Sequence, residues 1–169
     1  VDTGASRLIC LPAGCGDTVF EVPEGIVSIE DRAFSCCSSL QSVSLPNSLK
    51  SIGSGAFEFC SALESVSVPE AVTTIGDRAF FQCSGLKSVV VEGVSTTIGE
   101  GTFYGCTSLE SVVVQRESPA REYCRENSLT YSYPDSNDWL GVPSTDRVEN
   151  TFDDDQLFKG LSVSYGLLD

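Results

Sequence analysis

Phe34, Phe57, Phe80 and Phe103 recur at an interval of 23 residues, and a cysteine follows each three residues later: Cys37, Cys60, Cys83 and Cys106. The register extends to both sides. Leu40, Leu63, Leu86 and Leu109 come next, then Val43, Val66, Val89 and Val112, then Leu45, Val68, Val91 and Val114, while Ile29, Ile52, Ile75 and Ile98 precede the Phe column. A fixed period in this range marks a solenoid. Each unit is a short coil that cannot bury its apolar side alone, and stacking closes a shared core. Nearly every apolar residue from Ile26 to Val114 falls into one of these columns.

Within a unit, the run Ser42-Val43-Ser44-Leu45 alternates with period two and reads as a short strand with Val43 and Leu45 inward. Pro46 and Pro69 end two of these strands, because proline has no ladder donor to give. The segment from Ile52 to Cys60 turns the chain back. Its Ala56, Phe57 and Cys60 are spaced as a single helical or 3₁₀ turn would place them on an inner face. The fold expected is an α/β solenoid of five to six 23-residue coils. Its short strands form one parallel sheet, short helical or 3₁₀ turns form the return side, and the Phe residues form a spine.

The ends depart from the pattern, as terminal coils must when one face lacks a neighbour. Residues 1–28 read as a degenerate N-terminal capping unit: Phe20, Val22, Pro23 and Ile26 keep the register, but Leu11 stands in the Phe position. Residues 29–117 are the regular repeats. Residues 118–133 read as a C-terminal cap, with Ser118 as N-cap and Pro119 opening a helix through Asn127. Tyr123 and Cys124 face the open end of the stack, and the alternation of Leu129, Tyr131 and Tyr133 predicts a last strand. Residues 134–169 read as an acidic tail or docking extension. If ordered, its Trp139, Phe152 and Phe158 need a surface to pack on, either the solenoid flank or, the reading preferred, another chain.

The units Ala33-Phe34-x-x-Cys37-x-x-Leu40-x-x-Val43-x-Leu45-Pro46 and their three successors resemble the BspA-like (Treponema pallidum type) class of leucine-rich repeat, over about residues 20 to 133. The resemblance implies a leucine-rich repeat solenoid with its parallel strands on the concave face. It also implies a place among adhesion or protein-recognition modules, many of them on cell surfaces, with no shared catalytic residues. Glu92-Gly93 and Gln115 depart from the strand-ending proline, and Thr102 from the small Ala.

Chemistry is constrained by what is missing. The sequence has no His, so the commonest general base and zinc ligand is absent. No activated nucleophile and no phosphate-binding glycine loop stand at a meaningful spacing, so no cofactor is expected and the chain reads as non-enzymatic. The Cys column has the period of core packing rather than metal ligation, and Asp153-Asp154-Asp155 lacks the alternating ligands of a calcium loop, so no metal site is assigned. Buried free thiols suit the column, since cysteine packs as a small hydrophobe. Cys10 and Cys15 are the best disulfide candidates. A net charge of -14 argues against nucleic acid and favours a partly basic protein partner. No apolar run approaches membrane-spanning length.

Two surfaces are candidates for that partner. Strand alternation turns Ser42, Ser65, Ser88 and Ser111 outward beside Ser44, Ser67, Val90 and Val113, a smooth face for a protein segment. On the return side, Phe59, Phe81 and Tyr104 lie outside the Phe spine, and exposed aromatics serve as interface anchors. The functional expectation is a protein-binding module, with a cell-surface or adhesive role. The alternative is a structural or linker subunit of a hetero-oligomeric assembly, docked through the C-terminal extension.

Overall fold

The computed structural model describes residues 7–8 and 17–134. Their short parallel strands alternate between two sheets. One contains β1 (Arg7–Leu8), β3 (Ser28–Ile29), β5 (Ser51–Ile52), β7 (Thr74–Ile75) and β9 (Thr97–Ile98), in that spatial order. The other contains β2 (Val19–Glu21), β4 (Ser42–Ser44), β6 (Ser65–Val68), β8 (Ser88–Val91), β10 (Ser111–Val113) and β11 (Tyr131–Ser132), again in stacking order. The 23-residue register is visible in the pairing itself: Ser65 faces Ser88 and Ser88 faces Ser111, while Ile29 faces Ile52 and Ile52 faces Ile75. The single sheet expected from the sequence is therefore corrected to two. The Ser/Thr-Ile pairs on the return side are too short to show alternation, yet stacking aligns them edge to edge.

Phe34, Phe57 and Phe80 are fully buried, and the rings stack nearly parallel. Centroids lie 4.7 Å apart for Phe34–Phe57, 5.2 Å for Phe57–Phe80 and 5.8 Å for Phe80–Phe103. Both ends of the stack are closed by an edge-on ring. Phe20 meets Phe34 at 73°, and Tyr123 meets Phe103 at 70°. Each ring's burial contributes roughly 1.5–3 kcal/mol, and each favourable ring pair adds about 0.5–1.5 kcal/mol more.

The cysteine column packs beside this spine as free thiols rather than bridges. Cys60 donates its S–H to the Phe34 carbonyl, Cys83 to that of Phe57 and Cys106 to that of Phe80, at 3.0–3.1 Å. Each thiol thus satisfies a carbonyl of the preceding coil. Burial pushes the Cys83 thiol far above its ordinary range, that of Cys124 up to about 12 and that of Cys106 up to about 11. Among the described cysteines Cys36 is the exposed one, and the proposed pair Cys10 and Cys15 lies outside the described residues.

Backbone donors run in two directions. In the sheets they point to either neighbour: back, as in Gly53 N–H to Ile29 O at 2.8 Å and Glu64 N–H to Gln41 O at 3.0 Å, or forward, as in Val22 N–H to Ser44 O at 3.0 Å and Val114 N–H to Ser132 O at 2.9 Å. In the turn carrying the Phe residues they point to the following coil: Phe34 to Ala56 O and Phe57 to Ala79 O, both 2.7 Å, and Phe80 to Thr102 O at 3.1 Å. Residues between these donors make i→i−3 bonds of 3₁₀ type, such as Ala33 to Glu30 O and Ser35 to Arg32 O. Local and inter-coil bonds alternate, which keeps buried backbone groups paired. The coils approach so closely that a Cβ on Gly53 would lie 2.5 Å from the Asp31 nitrogen, and one on Gly76 2.6 Å from that of Ser54. Glycine in the Ile-Gly pair is a requirement of stacking.

The ends follow the same logic. At the start, Arg7 donates through Nε to Glu30 at 2.8 Å, and hydrogen bonds from Arg7 and then Ser28 hold the Glu30 carboxyl down at about 2. At the other end α1 (Pro119–Glu126) begins at Ser118, whose Oγ accepts from Arg121 N–H at 3.2 Å. The helix buries Ala120 and Cys124, and Tyr131 and Tyr133 are buried after it. Thr102, standing where other coils have Ala, is buried but satisfied, donating to Gly99 O at 2.7 Å.

Two outcomes follow from this core. Phe57→Ala lowers the unfolding free energy by about 3–5 kcal/mol in urea titration, whereas Ser65→Ala on the outer face stays within about 0.5 kcal/mol. In the folded protein at neutral pH, mass-spectrometric mapping of alkylation finds Cys36 modified first, half-buried Cys106 more slowly, and buried Cys37, Cys60, Cys83 and Cys124 only at the rate of opening.

Candidate functional site

The outer face of the six-stranded sheet is built as the alternation requires. Val43, Val66, Val89 and Val112 are buried, and Ser42, Ser44, Ser65 and Ser67 are exposed. Toward the C-terminal end Ser88, Val90, Ser111 and Val113 are half-buried. The columns come together in register, with Ser67 beside Val90 and Val90 beside Val113. Ser67 donates to Glu92 at 3.0 Å, and Lys87 pairs with Glu64 at 3.2 Å along the flank. A shallow depression of about 290 Å³ lies over Ser42, Ser44, Ser65, Ser67 and Glu92. Its lining is small and polar, so it offers shape without a strong anchor.

The return side is richer. Phe59 and Phe81 meet edge to face with centroids 5.6 Å apart, and Phe81 stacks on Tyr104 at 5.7 Å. Phe59 is 45% exposed and Tyr104 68%. These rings are not equivalents in the repeat: Phe81 and Tyr104 share a column with Glu58, whereas Phe59 stands one position later. Phe59 stands at a left-handed position (φ 62°) that recurs at Cys36, Gln82 and Gly105, and its ring meets that of Phe81 in the next coil. Such a φ is costly for a bulky side chain.

Beside the strip runs a cleft of about 540 Å³. Gly55 and Gly101 leave it open, Arg32 and Arg78 occupy the same repeat column in alternate coils, and Asp77 and Glu100 line it with Phe81 and Tyr104. Arg32 pairs with Glu58 at 3.2 Å, and Glu58 also accepts from Ser35 at 3.0 Å. The Arg78 guanidinium sits 5.7 Å from the centre of the Phe81 ring. Asp77 accepts the Glu100 N–H at 2.9 Å, as Asp31 accepts that of Ser54 at 2.7 Å. The charged members of this cleft escape a sequence reading that tracks apolar columns. The available signal was the Arg-Gly-Arg-Gly alternation at Arg32, Gly55, Arg78 and Gly101.

Among the described residues no group of three or more His, Cys, Asp or Glu is arranged to hold a metal ion, and no helix is long and apolar enough to cross a membrane. Trp139, Phe152 and Phe158 lie outside the described residues.

A model of the BspA type leucine rich repeat region matches residues 13–130 in six copies. The chain belongs to this family. Among solved structures, the leucine-rich repeat protein of T. pallidum is similar at 29% identity and a TM-score of 0.59, over 64% of this chain and 51% of that one. A leucine-rich repeat protein from Bacteroides ovatus is 25% identical with a TM-score of 0.57, over 75% of this chain and 42% of that one. A leucine rich cell surface protein from Faecalibacterium prausnitzii shares the fold at 23% identity and a TM-score of 0.52, over 83% and 38%. This BspA-type chain thus spans about half or less of each structure's length. None of the curated proteins compared with it matches.

The left-handed position of the BspA-type coil yields a prediction. Phe59→Gly removes the exposed ring but also relieves a left-handed cost of about 1–2 kcal/mol, so its midpoint in urea stays close to that of the parent. Phe59→Ala keeps the left-handed cost, loses the ring contacts and is measurably less stable.

Proposed function

We propose that the chain is a non-enzymatic recognition module that binds a protein partner, with the return-side cleft as its main anchor and the serine face of the six-stranded sheet as a secondary surface. Membership in a leucine-rich repeat family, consistent with binding to proteins, supports the class of function. One observation carries the choice of surface: Phe59, Phe81 and Tyr104 form a continuous aromatic strip at the edge of a charged cleft, rather than three scattered rings. Aromatic anchors surrounded by polar groups are the usual source of interface energy. Neither the smooth Ser42, Ser44, Ser65 and Ser67 face nor the half-buried Val90 and Val113 provides a comparable anchor. The net charge of -14 supports a partner with basic character and a salt-sensitive association rate.

Site-specific photo-crosslinking in the source cells tests this reading. A photoreactive residue at position 104 or 59 is expected to join one defined polypeptide, and Phe81→Ala to reduce that adduct. Crosslinks arising only from positions 139, 152 and 158 would overturn it in favour of an assembly subunit docked through the C-terminal extension.

A further inference from the structure

The cleft contains an internal example of the group it is suited to bind. In one coil Arg78 places its guanidinium 5.7 Å from the ring three residues later, Phe81. In the next coil the ring remains, as Tyr104, but the equivalent of Arg78 is Gly101. This coil has the ring of such a pair without the cation.

The space is real. A Cβ built on Gly101 would meet only the Arg78 Cγ, at 3.6 Å, and Tyr104 remains 68% exposed although its neighbour Phe81 stacks on it. The surrounding charge suits a cation: Glu100 precedes Gly101, and Asp77 holds the Glu100 N–H with one carboxylate oxygen. Arg78 is the competing positive group, and it is directed to Phe81. A guanidinium fits better than an ammonium, because its plane can lie on the ring while its edge donates to a carboxylate.

The geometry points to the space over Gly101, between Tyr104 and Glu100, as the seat for an arginine side chain of the protein partner. This rests on the protein-binding reading and specifies the chemistry of its contact. The partner's arginine reproduces at Tyr104 the cation–ring pair that Arg78 and Phe81 form one coil earlier. Gly101 keeps the seat open, Tyr104 supplies the ring face and Glu100 the counter-charge.

The test is a two-dimensional ¹H–¹⁵N NMR titration of the full chain with an acetylated Gly-Arg-Gly amide and, as the uncharged isostere, its citrulline counterpart. The arginine peptide is expected to shift the amides of Glu100, Gly101 and Tyr104 selectively, and the citrulline peptide to bind at least about threefold more weakly. Tyr104→Ala and Gly101→Arg should each weaken the arginine peptide by about threefold or more. The second variant fills the seat from within. It is compatible with the backbone, since Arg32 and Arg78 adopt φ 58° and 56° at the equivalent positions, close to the 63° of Gly101. Unchanged resonances in the other coils verify its fold.

Equal shifts with citrulline, shifts spread evenly over the acidic surface, or affinities unmoved by both variants would overturn the inference. Binding that appears only after Arg147→Gln and Lys159→Gln, which remove the two basic residues of the C-terminal extension, would assign the seat to the chain itself and overturn the partner's role. Should the titration fail while crosslinks from position 104 persist, the arginine seat falls and the recognition reading stands. Absence of those crosslinks removes the reading as well.

Discussion

The structure depends on one constraint: each 23-residue coil must superimpose on the next closely enough for Phe to stack on Phe. The rings stack at 4.7–5.8 Å, and the same rise lets the backbone form its inter-coil bonds. It also makes glycine obligatory at Gly53 and Gly76, where the preceding coil lies against the Cα. Side chains and backbone therefore demand the same spacing. Such agreement between levels is what gives a repeat sequence a single structure.

The opposite directions of the hydrogen-bond ladders tie each coil both ways. Sheet amides reach to the coil before, as from Gly53 to Ile29, or to the coil after, as from Val114 to Ser132, and the Phe-turn amides reach forward one. The thiols add a third tie, from Cys60, Cys83 and Cys106 to the carbonyls of the Phe residues one coil earlier. A terminal coil loses one set of partners, and the ends carry substitutes: Tyr123 turns edge-on against Phe103, and α1 covers the last coil with Ala120 and Cys124. In this chain the cysteine column is a packing and hydrogen-bonding device of free thiols.

Much of this was legible in the residues. The Phe, Cys, Leu and Val columns revealed the core, and Ser118-Pro119 revealed the start of α1, because burial and capping each impose a residue type on a fixed position. The second sheet was not legible, since two residues such as Ser51–Ile52 carry no alternation and become a strand only through their neighbours. The cleft was hidden for a different reason. Its members Arg32, Glu58, Asp77, Arg78 and Tyr104 are dispersed over more than three coils, and surface columns vary without harming the core. The continuity of the aromatic strip was less legible still, because Phe59 belongs to a different column from Phe81 yet meets its ring.

The stacked spine is tested most directly by nuclear Overhauser contacts between the rings of selectively labelled phenylalanines. The account predicts an unbroken chain of contacts from Phe34 to Phe57, Phe57 to Phe80 and Phe80 to Phe103, with Phe20 touching only the first ring of that series. Absence of these 23-residue contacts in the folded protein, with the same rings reporting contacts to unrelated residues, would contradict it.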